Sequence, residues 1–332
     1  HLDDRKLAGT SFATSEQPDH STLESHFPLF NRNHKLTTIK NYTFQAQSNL
    51  NELDLSSPCL QVIEPFAFFG LKRLNFLKVM NSNIKVLYND TFRFMIILSV
   101  MDFSNSRIEV IEAEAFAQSR ISKKLLIGNN RIARLQNNTF RDLKKLSNLD
   151  LKNSEIEIIE SNAFNDLINL VYLYLSQNKL RSIYRNTFQS LAKLTLLDLT
   201  SSQIEIIELN AFFGLKSLKL LLMDNNNLKI ISANTFQNLP QLEYLYLSNC
   251  KIEMFENGSL NGLISLKNIY VQENRLNKSY ETSLFSDLVS ATFLDSRQSN
   301  ISRIQPFTFI NSSNLVIIFL NFNYLRTIEN FT

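Results

Sequence analysis

The residue types that build most catalytic centres are scarce in this chain. Of 332 residues, 2 are cysteine (Cys59 and Cys250), 6 are glycine, 6 are proline and none is tryptophan; the 4 histidines, His1, His20, His26 and His34, all lie at the N-terminal end. So little glycine leaves no P-loop and no GxGxxG turn, which excludes phosphate-cradling loops. There is no CxxC pair. The rest of the chain has no imidazole to activate a serine or cysteine nucleophile. Clustered histidines suit zinc, yet His26 and His34 fall on positions of the repeat described below, so they are read as part of a cap; no metal and no cofactor is expected. The 34 basic and 31 acidic residues are mixed along the chain and leave a net charge of +3. That is not a nucleic-acid footprint, and no nucleic acid is expected as partner. No apolar run nears the roughly 20 residues that cross a bilayer. "FMIIL" from Phe94 and "LVIIFL" from Leu315 are strand-sized, so no transmembrane segment is expected. His1 stands where a start methionine would, as expected after removal of a leader or at a fusion scar.

Repetition is what the chain has in abundance. "IEIIESNAF" at Ile156–Phe164 returns as "IEIIELNAF" at Ile204–Phe212 and nearly so as "IEVIEAEAF" at Ile108–Phe116, a step of 48 residues. Inside it lies a step of 24: "LNELDL" at Leu50, "LNFLKV" at Leu74, "LSNLDL" at Leu146, "LTLLDL" at Leu194 and "LEYLYL" at Leu242 fall on one grid. Ala291 opens a repeat one residue late, Leu315 opens the last, and His26 opens a weak first one. The unit reads LxxLxLxxNxIxxIxxxxFxxLxx. Its first six residues predict a short strand with leucines pointing inward, stacked about 4.8 Å from its neighbours in a parallel sheet. Phenylalanines at one return position, every 24 residues from Phe44 to Phe236 and again at Phe309, predict a stacked spine. Asn130, Asn178, Asn226, Asn274 and Asn323 are expected to turn inward and satisfy buried backbone groups. Ser82, Ser106, Ser154, Ser202 and Cys250 alternate with them, and a water or a shifted backbone is expected beneath the serines. The row Lys85, Glu109, Ala133, Glu157, Arg181, Glu205, Lys229 and Glu253 alternates in sign, so "IEIIE" reads as half of a double repeat that keeps a surface charge ladder neutral. Interleaved cations argue against a calcium site.

"LTLLDLTSSQIEIIELNAFFGLKS" and "LEYLYLSNCKIEMFENGSLNGLIS" resemble the typical 24-residue class of animal extracellular leucine-rich repeat proteins, as in Toll-like receptor ectodomains and secreted insect leucine-rich repeat immune proteins. The resemblance runs from about Phe27 to Thr332. It implies an α/β-type repeat fold, a leucine-rich repeat solenoid (horseshoe) with a concave parallel β-sheet and a mostly irregular convex side. Residues 1–25 are expected to form a degenerate N-terminal cap, and residues 26–332 a solenoid of about 12–13 repeats that ends mid-repeat. Such ectodomains carry cysteine clusters at both ends. Here Cys59 and Cys250 lie eight coils apart, roughly 38 Å at sheet spacing, too far to pair. The resemblance also implies a secreted or ectodomain location, innate immune recognition and no enzymatic activity; scarce cysteine taken alone would suit a reducing compartment and a cytosolic scaffold.

A binding surface is expected on the concave face. Outward strand positions are polar at Asp54, Lys78 and Lys124, whereas Tyr172, Tyr174, Leu196, Leu220, Leu222, Tyr244, Tyr246 and Tyr270 make an apolar and aromatic strip edged by Asp198, Lys219 and Asp224. Tyrosines combine large contact area with a polar tip and are enriched at binding hot spots, so a protein partner is expected there. Asp102, Asp150 and Asp198 share one strand slot, but at about 10 Å they are too far apart for a retaining carboxylate pair. Sequons at Asn41, Asn89, Asn137, Asn257, Asn277, Asn300, Asn311 and Asn330 are candidate glycosylation sites. Phe293, Ile317, Phe319 and Phe322 in the last two repeats suggest self-association as a homodimer. The alternative function is an adhesive or architectural protein that works through end-to-end or edge assembly.

Overall fold

The computed structural model describes residues 35–276, 288–304 and 308–326. The chain divides into His1–Asn33 and His34–Thr332. The described residues all belong to the second unit; the expected cap and the four histidines lie outside them.

Each LxxLxL segment forms a three-residue strand. Twelve such strands, from Glu52–Asp54 to Ile317–Phe319, make one parallel sheet in which each pairs with the strand of the next coil in chain order. The register is one repeat per step, with Leu149 opposite Leu125 on one side and Leu173 on the other. Successive side chains alternate between faces, so the central leucine is buried while its two neighbours face the concave side. The buried residues form one apolar column from Ile39 to Ile304. Its return-side edge is the predicted spine: the rings from Phe44 to Phe236 stack at 5.3–6.3 Å with interplanar angles of 6–20°. Each buried ring contributes about 1.5–3 kcal/mol by leaving water and about 1 kcal/mol more through stacking. Leu260 takes the spine position in the next coil, and Phe309 packs against the same column, partly buried. No helix occurs among the described residues.

The 48-residue step is written into the backbone. Where the inward slot holds serine or cysteine and the next coil's slot holds asparagine, the residue after the serine or cysteine is left-handed: Arg107, Glu155, Gln203, Lys251 and, after Ser299, Asn300 have φ of 59–61°. The asparagine of the following coil reaches back to that turn. Asn178 Oδ1 accepts the N–H groups of Ser154 and Ile156 at 3.0 and 2.9 Å, while its Nδ2 donates to the carbonyls of Leu151 and Leu175 at 3.0 and 2.8 Å. Asn130, Asn226, Asn274 and Asn323 repeat the arrangement. The small side chains instead donate one coil back, Ser202 Oγ to Leu175 O at 3.0 Å and Cys250 Sγ to Met223 O at 3.1 Å. A shifted backbone, as expected beneath the serines, is found there.

Junctions without an asparagine staple are closed on the return side by paired two-residue strands. Val86–Leu87 pairs with Val110–Ile111, Arg134–Leu135 with Ile158–Ile159, Ser182–Ile183 with Ile206–Ile207, and Ile230–Ile231 with Met254–Phe255. Asparagine staples and strand pairs therefore alternate from Ser82 to Asn274. Ser82 occupies an asparagine slot, but the preceding slot is Pro58, which has no N–H to offer. The Ser82 hydroxyl has no partner, and Asn83 Nδ2 takes over by donating to Pro58 O at 2.6 Å.

The acidic phrase works differently from the charge-ladder expectation. In the predicted row, Lys85 and Glu109 form an ion pair at 3.2 Å. The regular contact belongs to the second glutamate: Glu64, Glu112, Glu160, Glu208 and Glu256 each accept a backbone N–H one coil back, from Asn41, Asn89, Asn137, Arg185 and Ala233, at 2.7–2.9 Å. Five glutamates 48 residues apart close five return turns.

Candidate functional site

The sheet register lays two rows of side chains across the concave face. Tyr172, Leu196, Leu220, Tyr244, Asn268, Phe293 and Ile317 form one; Tyr174, Asp198, Leu222, Tyr246, Tyr270, Asp295 and Phe319 form the other. All eight residues expected in the strip are thus brought together. Tyr172, Tyr174, Leu220, Leu222 and Tyr244 are half-buried, whereas Leu196, Tyr246 and Tyr270 are buried. Neighbouring strands lie close enough for the rings to pack on one another. Tyr246 and Tyr270 stack at 4.3 Å, Tyr270 meets Phe293 at 5.2 Å, and Phe293 meets Phe319 edge-on at 5.5 Å. Phe293 is half-buried, while Ile317, Phe319 and Phe322 in the last described coil are exposed.

Charges frame the rows. Burial, with Asp150, Tyr172 and Asp198 adding to it, raises the Tyr174 phenol above its ordinary pKa, so its hydroxyl stays a proton donor. Glu243 sits between Lys267 and Lys219 at 2.6 and 3.2 Å. The Lys267 hydrogen bond, against some desolvation, holds its carboxyl below the usual range. Asp295 is fully buried and bound by Arg297, whose guanidinium also lies 5.3 Å from the Phe319 ring centre. The aspartates of the shared strand slot hold turns. Asp54, Asp102, Asp150 and Asp198 each accept the N–H two residues on, at 2.9–3.0 Å, fixing the turn after the strand. Among the described residues no group of three His, Cys, Asp or Glu side chains could hold a metal.

Of the sequon asparagines, Asn41, Asn89, Asn137, Asn257 and Asn311 are exposed and Asn300 is half-buried; Asn277 and Asn330 lie outside the described residues. Asn89 and Asn137 also serve the fold, accepting the N–H groups of Glu114 and Asn162 through Oδ1 at 3.0 and 3.2 Å.

A second aromatic surface, on the return side of the first coils, was not expected from the pattern. Tyr42 stacks on Phe66 at 6.0 Å and meets Phe69 edge-on at 5.5 Å; Phe69 meets Phe94 at 6.2 Å. Three of the four are left-handed, with φ of 57° at Tyr42, 58° at Phe66 and 71° at Phe94. The slot of Tyr42 and Phe66 holds Asp90, Asn138, Asn186, Asn210, Asn234 and Gly258 in other coils, and the slot of Phe94 holds Gly70, Asp142, Gly214 and Gly262, all with positive φ. An aromatic residue in that conformation costs roughly 1–2 kcal/mol. Aromatics at positions otherwise filled by turn residues were the signal available in the sequence.

The leucine-rich repeat family model matches residues 31–84, 123–180, 159–204 and 195–252, together more than half of the chain. Among solved structures, a chain of the TLR13–ssRNA13 complex superposes with a TM-score of 0.75 at 27% identity, over 90% of this chain and 47% of that one. A chain of the glycosylated Toll–Spatzle complex of Drosophila gives 0.74 at 20% identity, over 89% of this chain and 39% of its own. A chain of the octameric complex of latrophilin 3, Unc5D and FLRT2 gives 0.61 at 20% identity, over 83% of this chain and 76% of its own. The chain therefore spans less than half the length of the first two. No curated protein sequence matches it. No helix among the described residues is long and apolar enough to cross a membrane. By family model and by fold, the chain belongs to the leucine-rich repeat family, with likenesses among Toll and Toll-like receptor ectodomains.

Proposed function

We propose that the chain is a non-enzymatic extracellular recognition module that binds a macromolecule, chiefly a protein, on its concave face, in a setting of innate immune recognition. The observation that carries this reading is the change along the sheet. Each early coil sets at least one polar residue outward (Glu52 and Asp54, then Lys78 beside Phe76, Asp102 beside Val100, Lys124 beside Leu126, and Asn148 with Asp150), whereas from Tyr172 to Phe319 the two rows are apolar or aromatic except at Asp198, Asn268 and Asp295. Half-buried tyrosines add contact area at little entropy cost because their neighbours already hold them. Tyr174, Asp198 and the Lys219–Glu243–Lys267 group supply the polar edge that orients a partner. The comparisons support a binding role, since their partners are Spatzle, latrophilin 3 and Unc5D in two complexes and ssRNA in the third.

The test is capture of extracellular proteins, and separately of single-stranded RNA, by the intact chain and by a Tyr172→Ser, Tyr174→Ser, Tyr244→Ser variant with the same melting temperature. A protein held by the first and lost by the second supports the reading. RNA lost in the same way would redirect it to nucleic acid. Equal retention by both would move recognition off the concave face. A second reading, assembly through the last coils, draws on the exposure of Ile317, Phe319 and Phe322. Sedimentation velocity tests it: a dimer that dissociates on Phe319→Ser, Phe322→Ser supports it, and a monomer at all concentrations removes it.

A further inference from the structure

The return-side aromatic surface has no role in concave recognition, and its chemistry points to a different occupant. Tyr42, Phe69 and Phe94 are 47%, 36% and 46% exposed, with Ile96 and Ile97 exposed beside them in the chain. Tyr42 and Phe94 are exposed aromatics in left-handed slots that other coils fill, where left-handed, with glycine, asparagine or aspartate and once with Gln118. Strain kept in this way is a sign of use.

Asn41, itself exposed, directly precedes Tyr42 of this surface in the sequon Asn41-Tyr42-Thr43. It differs from the sequon asparagines of two other coils. Asn89 and Asn137 have their carboxamides engaged by the N–H groups of Glu114 and Asn162. The corresponding N–H in the first coil, that of Phe66, goes to Asp90 O at 3.3 Å. Among the described residues the exposed Asn41 carboxamide therefore has no structural bond, while its backbone N–H is anchored to Glu64 at 2.9 Å and Thr43 is tied to Lys40 O at 2.6 Å. A fixed backbone, a free carboxamide and neighbouring aromatic rings meet at one residue.

We propose that Asn41 carries an N-linked glycan whose first N-acetylglucosamine packs on the Tyr42–Phe69 surface. The C–H face of a pyranose presents weakly positive hydrogens to the negative face of an aromatic ring. A sugar attached one residue from Tyr42 is held there at high effective concentration, so a weak stack suffices. The glycan covers apolar area that would otherwise invite association. This rests on the extracellular reading only in that the natural chain must meet the glycosylation machinery; it does not depend on what the concave face binds.

The experiment uses the full chain secreted from insect cells behind a supplied signal peptide, so that local competence is tested whatever the natural location. Glycopeptide mass spectrometry reads occupancy at Asn41. Thermal unfolding then compares the parent, Asn41→Gln, Tyr42→Asn and the double variant. Tyr42→Asn keeps the sequon, as in Asn137-Asn138-Thr139, and places at the left-handed slot a residue type found there in other coils. Loss of the glycan should lower the melting temperature by about 2–4 °C in the parent and leave it unchanged in the Tyr42→Asn background. Phe69→Ala should abolish the same difference, and endoglycosidase trimming to the first sugar should preserve it. An unoccupied Asn41, equal shifts in both backgrounds, or loss of the effect on trimming would each overturn the proposal.

Discussion

Asn178 Oδ1 accepts the N–H of Ser154, 3.0 Å away in the preceding coil, and with the same atom the N–H of Ile156 at 2.9 Å. This contact makes the double repeat asymmetric: the asparagine coil holds the serine coil before it, and a strand pair holds the serine coil after it.

Asn178→Ala should therefore be far costlier than Ser154→Ala. The first leaves two buried donors unpaired and deprives the Leu151 carbonyl of its side-chain donor, while Leu175 O keeps Ser202 Oγ, for about 2–4 kcal/mol. The second removes a hydroxyl whose bond to Ile127 O is a long 3.3 Å, for about 1 kcal/mol or less. Urea unfolding measures both, and hydrogen exchange should place the loss in the coils around Ser154 and Asn178, since each coil contacts only its neighbours. Equal losses would refute the asymmetry.

Acid should weaken the return turns through the second glutamate. The Asn137 N–H, and after it Arg134, lower the pKa of Glu160 from its ordinary value of 4.5. A depressed carboxylate pKa gives stability that is complete above the unfolded-state value and is lost as pH falls through the folded-state value. Glu160→Gln keeps an acceptor for Asn137 but has no charge to protonate. The stability difference between parent and Glu160→Gln should be largest near pH 7 and shrink toward zero as pH falls below the ordinary value of 4.5 and through the lowered folded-state value. Partial exposure of the side chain keeps it small. A difference constant across that range would remove the charge from the explanation.

These contacts mark where sequence reading stopped. The 24-residue grid placed the sheet strands, the phenylalanine spine and the inward asparagines, because each depends on which side chains face one core, and periodicity reports that directly. The role of Glu160 was assigned to its neighbours because a backbone N–H one coil back is invisible until the turn has a conformation. Likewise the strip from Tyr172 to Tyr270 was legible as two rows, but the burial of Tyr246 and Tyr270 depends on ring packing between strands. The cluster at Tyr42, Phe66 and Phe94 went unread for a related reason: an apolar residue at a turn slot looks like variation until φ shows the slot to be left-handed.

Cys250 should behave as a serine of the ladder and not as a thiol. It is fully buried, and burial pushes its pKa up to about 12, with the Asn226 backbone bond opposing only in part. Only the thiolate reacts. Iodoacetamide at pH 8 should therefore spare Cys250 in the native chain, label the half-buried Cys59, and label both in urea, as read by peptide mass spectrometry. Cys250→Ser should be nearly neutral, within about 1 kcal/mol, because Ser202 fills the equivalent slot and donates to Leu175 O at 3.0 Å just as the thiol reaches Met223 O. Cys250→Val would put a branched apolar group where Ser248 O and Met223 O have the thiol as a donor. Asn226 Nδ2 at 2.6 Å still donates to Met223 O and the Asn225 N–H at 2.9 Å to Ser248 O, so the loss of the slot's donor should cost about 1 kcal/mol more than serine does. If serine proved as costly as valine, the slot would be selected for volume and the hydrogen bond would not be its reason.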